Sequence, residues 1–194
     1  MTKRNCALFF SYSFHPMTVS LLAFWALIFH NPDTLSNRYL VLFTCLLISN
    51  LIPIITVLIL KKKGLITDID ASQKEQRILP LTLGVIYSGI GFLILRYLNA
   101  DMIVQGLMFC YMTNSIITLS ITRYWKISIH TMGLTAPFAA LWVHGYQFPV
   151  LMVIIVICVG ISRIILKAHS PAQVFTGAAL GFLLTFSQLL VFFT

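Results

Sequence analysis

The chain has 194 residues, of which 59% are hydrophobic and only 9% charged. A soluble domain carries about a quarter charged residues, and a water-soluble core of this size cannot hide so much apolar surface, so lipid is the expected solvent for most of it. The formal net charge of +8 is not a nucleic-acid footprint: the basic residues sit in short loops between apolar runs, where they anchor helices and meet anionic headgroups.

In chain order, Lys3 and Arg4 open a stretch that has the start of a signal peptide but is interrupted by His15-Pro16 and lacks a small-x-small cleavage site. The stretch is expected to be retained, with Pro16 opening the first helix. Seven apolar runs follow. They cover 14–30, 39–60, 79–97, 102–121, 131–144, 148–166 and 171–193. A spanning helix needs about 20 apolar residues. The fifth run is short and carries Gly133 and Pro137, so six or seven crossings are expected. Asn31-Pro32-Asp33 reads as a turn after the first run, and Lys61-Lys62-Lys63-Gly64 closes the second. The expected fold is all-α: a multi-pass transmembrane helical bundle of six to seven helices, one domain over 1–194.

Seven crossings with a cytoplasmic N-terminus place eleven of the thirteen Lys and Arg residues on the cytoplasmic side, leaving only Arg38 and Arg96 opposite. The expected location is a bacterial inner membrane. In that topology the segments 67–77, 123–130 and 162–173 share one face. Cys45, Cys110 and Cys158 lie within apolar runs, Cys6 stands alone, and no Cys-x-x-Cys pair occurs, so buried thiols are expected rather than a disulfide or zinc framework. Gly177 and Gly181 make a Gly-x-x-x-Gly pair suited to internal helix packing.

Phosphate-ester chemistry at a membrane surface needs fixed cationic donors for phosphate oxygens, a nucleophile, an acid for the leaving alkoxide, and a group that holds the nucleophile's tautomer. The run Ser162-Arg163, five residues, then His169 supplies several of these at a helix junction. His130 stands at another junction beside Lys126 and Ser128, and Lys74 and Arg77 stand at a third.

The run from Ser162 resembles the third signature of the phosphatidic-acid phosphatase type 2 and vanadium haloperoxidase superfamily, Ser-Arg-x5-His-x3-Asp, with Gln173 in the place of the Asp. Ile127-Ser128-Ile129-His130 is similar to the second signature, Pro-Ser-Gly-His, without its Pro and Gly. The first signature, Lys-x6-Arg-Pro, is matched only by Asp70-x6-Arg77-Ile78, with Lys74 offset and Pro80 two places late. The resemblance covers about 70–181. It implies that His169 attacks phosphorus and that His130 protonates the leaving group. Arg163, Ser128, Arg77 and Lys74 would bind phosphate, with Lys126 as a further donor. Gln173 would accept the His169 N–H without bringing a charge. No metal and no cofactor are implied; the partner is a phosphorylated lipid in the bilayer, such as a phosphomonoester or diphosphate. Two other readings stand beside this one: a non-catalytic relative that binds phosphorylated headgroups, and a small transporter or assembly factor, which would need polar groups at depth beyond Asn114 and Gln188. Asp68 and Asp70 resemble a paired-carboxylate metal site but are expected to cap or solvate their loop, and His15, His30 and His144 to sit at the interface.

Overall fold

The computed structural model describes residues 2–30 and 37–194. The turn expected at Asn31-Pro32-Asp33 lies outside them. Among the described residues the chain forms α-helices and no strands. All seven expected runs are helical. α2 (Pro16–Phe29) opens with Pro16 at its first turn. α3 (Arg38–Leu46) passes through a π-helical turn, Leu47–Leu51, into α4 (Ile52–Lys62). α5 (Ile78–Tyr97), α6 (Met102–Thr122), α7 (Ile129–Val143), α8 (Pro149–Ile165) and α9 (Pro171–Phe192) follow.

One helix was not expected. α1 (Lys3–Ser13) is capped by the Thr2 hydroxyl, and Ala7 and Ser11 are buried on it. It packs along α8, and the helix is interrupted at Phe14 and an extended His15 before α2 begins.

Five helical stretches are long and apolar enough to cross a membrane: Lys3–Phe29, Arg38–Lys62, Glu75–Tyr97, Met102–Thr122 and Pro171–Phe192. They point to a membrane protein. Their outward faces carry Leu22, Leu40, Leu58, Ile90, Leu93 and Val191, all exposed. α7 and α8 have 15 and 17 residues. At about 1.5 Å per residue they fall short of the roughly 30 Å hydrocarbon core. Seven full-length crossings are therefore not what the fold shows. α7 sits inside the bundle, packed by α2, α6, α8 and α9, with Leu134, Ala139 and Ala140 wholly buried.

The α7–α9 contact positions the site. Any Cβ at Gly177 or Gly181 would collide with the α7 backbone, so these glycines let the two helices approach closely. At that distance Thr131 Oγ1 donates to the Val174 carbonyl at 3.0 Å and Thr135 Oγ1 to the Ala178 carbonyl at 2.9 Å. Away from this seam, Phe24, Leu27, Ile28, Val104, Leu107 and Met108 form a wholly buried core between α2 and α6.

Asn114 and Gln188 are spent on packing. The Asn114 amide donates to Thr185 Oγ1 at 2.8 Å, Gln188 donates to Asn114 Oδ1 at 3.3 Å, and the Thr113 hydroxyl donates to Gln188. These bonds join α6 to α9.

Candidate functional site

Three loops converge at one end of the bundle, and named bonds hold them. Arg77, buried at the foot of α5, donates from Nε to the Ala71 carbonyl and from Nη1 to the Ile127 carbonyl, both at 2.8 Å. Lys126 Nζ donates to the Ala168 carbonyl at 2.8 Å. The Ser128 amide donates to the Gln173 carbonyl at 3.2 Å. The segments 67–77, 123–130 and 162–173 are thereby stapled together.

Gln173 and Ser170 form a capping box at the start of α9: Gln173 N–H donates to Ser170 Oγ at 3.3 Å, and Ser170 N–H donates to Gln173 Oε1 at 3.1 Å. A backbone N–H can only donate, so the Gln173 atom facing it is the oxygen. His169 Nδ1 lies 3.1 Å from that same oxygen. It must carry the proton, which leaves the lone pair on Nε2. Burial, then the charges of Arg77, Lys126 and Arg163, push the His169 pKa down to about 4 against the lift from Gln173. The imidazole is neutral at neutral pH. Burial, then Arg77 and Arg163, also lower the Lys126 ammonium's pKa.

Arg163 lies in the last turn of α8 and is 5% exposed. Its Nη1 donates to Ser11 Oγ at 3.0 Å and its Nη2 to Asp70 Oδ2 at 2.8 Å. Among the described residues its buried Nε finds no partner. Burial alone would raise the Asp70 pKa. The bond from Arg163 and the positive groups around it outweigh that, so the carboxyl sits below its ordinary value and is charged.

Two cavities meet here. One, about 280 Å³, is polar and lined by Ser11, Asp70, Lys126, His130, Arg163 and Lys167 among others. The other, about 220 Å³, is mainly apolar, with Pro53, Val57, Leu81 and Tyr87 in its walls. Asp70 and His130 line both, so they stand at the boundary. His130 packs edge-on against His15, ring centres 4.9 Å apart.

The fold thus brings together His130, His169, Gln173, Arg163, Ser128, Arg77 and Lys126. Several are already occupied. Arg77 and Lys126 hold backbone carbonyls, and Ser128, wholly buried, caps α7 with its hydroxyl oxygen. Lys74 is not gathered in: its side chain is 40% exposed and its ammonium lies 3.9 Å from Glu75. His169 is 7% exposed and lines neither cavity.

Two members were not expected from the sequence. Asp68 caps its loop through Ser72, whereas Asp70 reaches across to Arg163. His15 joins the site because the helix interruption before α2 turns it towards α7. His-Pro at a helix start was its sequence signal. Asp70 had one too, as the acidic residue standing where the resembled signature has Lys. His30 and His144 pack together with Tyr146, away from this cluster.

Comparison with family models, curated proteins and solved structures gives no match to the chain.

Proposed function

We propose that the protein is a membrane lipid phosphatase of the type 2 phosphatidic-acid phosphatase kind, acting in a bacterial inner membrane with its site on the cytoplasmic side. The observation that carries this reading is His169. It is neutral, its Nδ1–H is fixed on Gln173, and its Nε2 lone pair stands in the field of Arg77, Lys126 and Arg163. A neutral, oriented imidazole beside buried cations is what nucleophilic attack on a phosphate ester requires. The signature spacing from Ser162 to His169, and the Lys and Arg residues in segments 67–77, 123–130 and 162–173, support it further.

In the first step Nε2 forms a bond to phosphorus as the bond from phosphorus to the lipid oxygen breaks. His130, which burial and then Arg163 hold neutral at rest, takes the proton that the phosphomonoester monoanion carries in and gives it to that oxygen, releasing the lipid alcohol. In the second step water attacks the phosphohistidine, His130 takes a proton from it, and inorganic phosphate leaves. Arg163 offers its unpartnered Nε to a phosphate oxygen. Because His169 lines neither cavity, the turn 167–169 must shift towards the bound phosphate.

A second reading, a headgroup-binding protein without turnover, draws on the Asp70–Arg163 bond, which occupies the central cation. Phosphate release from a panel of phosphorylated lipids by the purified protein separates the two. Release that is lost in His169→Ala establishes the enzyme. No release, with His169-dependent binding intact, establishes the binding protein.

A further inference from the structure

We propose that His15, Asp70 and His130 form a binding site for one divalent transition-metal ion. Each offers one ligand atom, and the three atoms lie within 4.8 Å of one another. Around a tetrahedral zinc-type ion, with bonds of about 2.0–2.2 Å, ligand atoms sit roughly 3.4 Å apart, so the site closes on an ion with shifts of about 1 Å. Two imidazoles and one carboxylate are a donor set that suits first-row divalent metals.

The three side chains come from separate places: the break before α2, the loop after α4, and the first turn of α7. Their meeting is not a product of helix periodicity. It is imposed by contacts that do not involve the ligands. Arg77 binds the carbonyls of Ala71, next to Asp70, and of Ile127, three residues before His130. On the other side Pro16, next to His15, packs against Gly133 of α7, where a Cβ would collide with its ring.

Among the described residues no hydrogen bond joins any two of the three ligand side chains, and the His130 ring makes none. This is the spacing of ligands around a common ion rather than of a hydrogen-bonded triad. Asp70 is oriented from outside as a metal carboxylate usually is: Oδ2 is held by Arg163, leaving Oδ1 for an ion. Nη2 and Nε share one edge of a guanidinium, so the unpartnered Nε–H of Arg163 points to the Asp70 side. An anion in the fourth position of the ion would accept from it and offset the guanidinium charge.

Loading has one local consequence. His15 Nδ1 accepts a 3.3 Å bond from Met17 N–H. That bond is lost whether Nδ1 becomes the ligand or becomes the N–H opposite a ligating Nε2. An ion also takes the His130 lone pair, so metal binding and the acid–base role of His130 exclude each other. The binding itself requires no turnover and stands or falls apart from the phosphatase reading.

The test uses the full-length protein, purified without a polyhistidine tag and held in nanodiscs, titrated with Co²⁺ and then Zn²⁺. The expected result is one Co²⁺ per chain with the visible absorption of a low-coordinate nitrogen–oxygen site, displaced by Zn²⁺. His15→Ala and Asp70→Asn each weaken it at least tenfold, while His144→Ala, in the other histidine cluster, leaves it unchanged. Thermal unfolding keeps the result decisive if a variant folds poorly: Zn²⁺ should raise the wild-type midpoint. No stoichiometric binding and no Zn²⁺-dependent rise in the wild type, binding that survives His15→Ala, or binding that disappears in His144→Ala overturns the proposal.

Discussion

At the scale of single residues, the decisive fact is that His169 and Gln173 fix each other. The folded pKa of His169, about 4, lies below its ordinary 6.5 because burial and then Arg77 oppose the charged ring. As pH falls below 6.5 the unfolded chain takes up a proton that the native site refuses. The stability that this group contributes is complete above about pH 6.5 and is lost as pH drops through 4. Imidazole NMR should therefore show His169 titrating near pH 4, and a value near 6.5 would contradict the burial described. Gln173→Asp adds the missing charge. It should raise that pKa and speed phosphate release by about tenfold or more, set against the roughly 10⁴ that a comparable Asp-to-Asn loss removes in a serine protease. Arg77→Met should remove both loop clamps and lower stability by about 2–4 kcal/mol, read as a fall in the thermal midpoint, since bonds from a charged donor are worth about 1.5–3 kcal/mol each. The His169–Gln173 contact was legible because the two residues stand four apart, within one helical turn. Asp70 and His15 were not placed by the sequence, because their partners, Arg163 and His130, lie far along the chain and only the bundle brings them close.

At the scale of elements, the seam between α7 and α9 determines whether His130 and His169 share a site. Gly177→Leu should force the helices apart, break the Thr131 and Thr135 bonds across the seam, and destabilise the protein by more than the roughly 1–3 kcal/mol of ordinary overpacking, with His130 and His169 chemistry lost together. Asn114→Leu is milder: buried interhelical bonds in membrane bundles average about 0.6 kcal/mol, so thermal unfolding should move little and phosphate release should stay near wild type. The seven apolar runs were legible in the sequence because composition alone marks lipid-facing helices. Gly-x-x-x-Gly correctly indicated internal packing. α1 was missed because its first turn is polar and basic; only the spacing of Cys6, Ala7 and Phe10 hinted at the face it turns to α8. The shortness of α7 was visible in sequence, but its place inside the bundle depends on four neighbouring helices.

At the scale of the whole molecule, the excess of Lys and Arg in the loops that build the site underlies the proposal that they face the cytoplasm. Leu65, exposed just beyond the lysine run that ends α4, reports on it without altering a charge. Leu65→Cys, in a background with Cys6 and Cys158 changed to Ser, should be labelled by an impermeant maleimide only after the membrane is permeabilised. Labelling of intact cells would invert the topology. On the proposed reading, the polar, basic cavity and the apolar cavity that meet at Asp70 and His130 would take the charged headgroup and its hydrocarbon. The central claim is that His169 takes the phosphoryl group. The most direct test is to quench the purified protein with alkali during reaction with radiolabelled phosphatidate and map the phosphorylated peptide. An acid-labile, alkali-stable phosphoryl group on His169, absent from His169→Ala, is the result expected. Phosphate released with equal speed by His169→Ala, or a label on another residue, would contradict it.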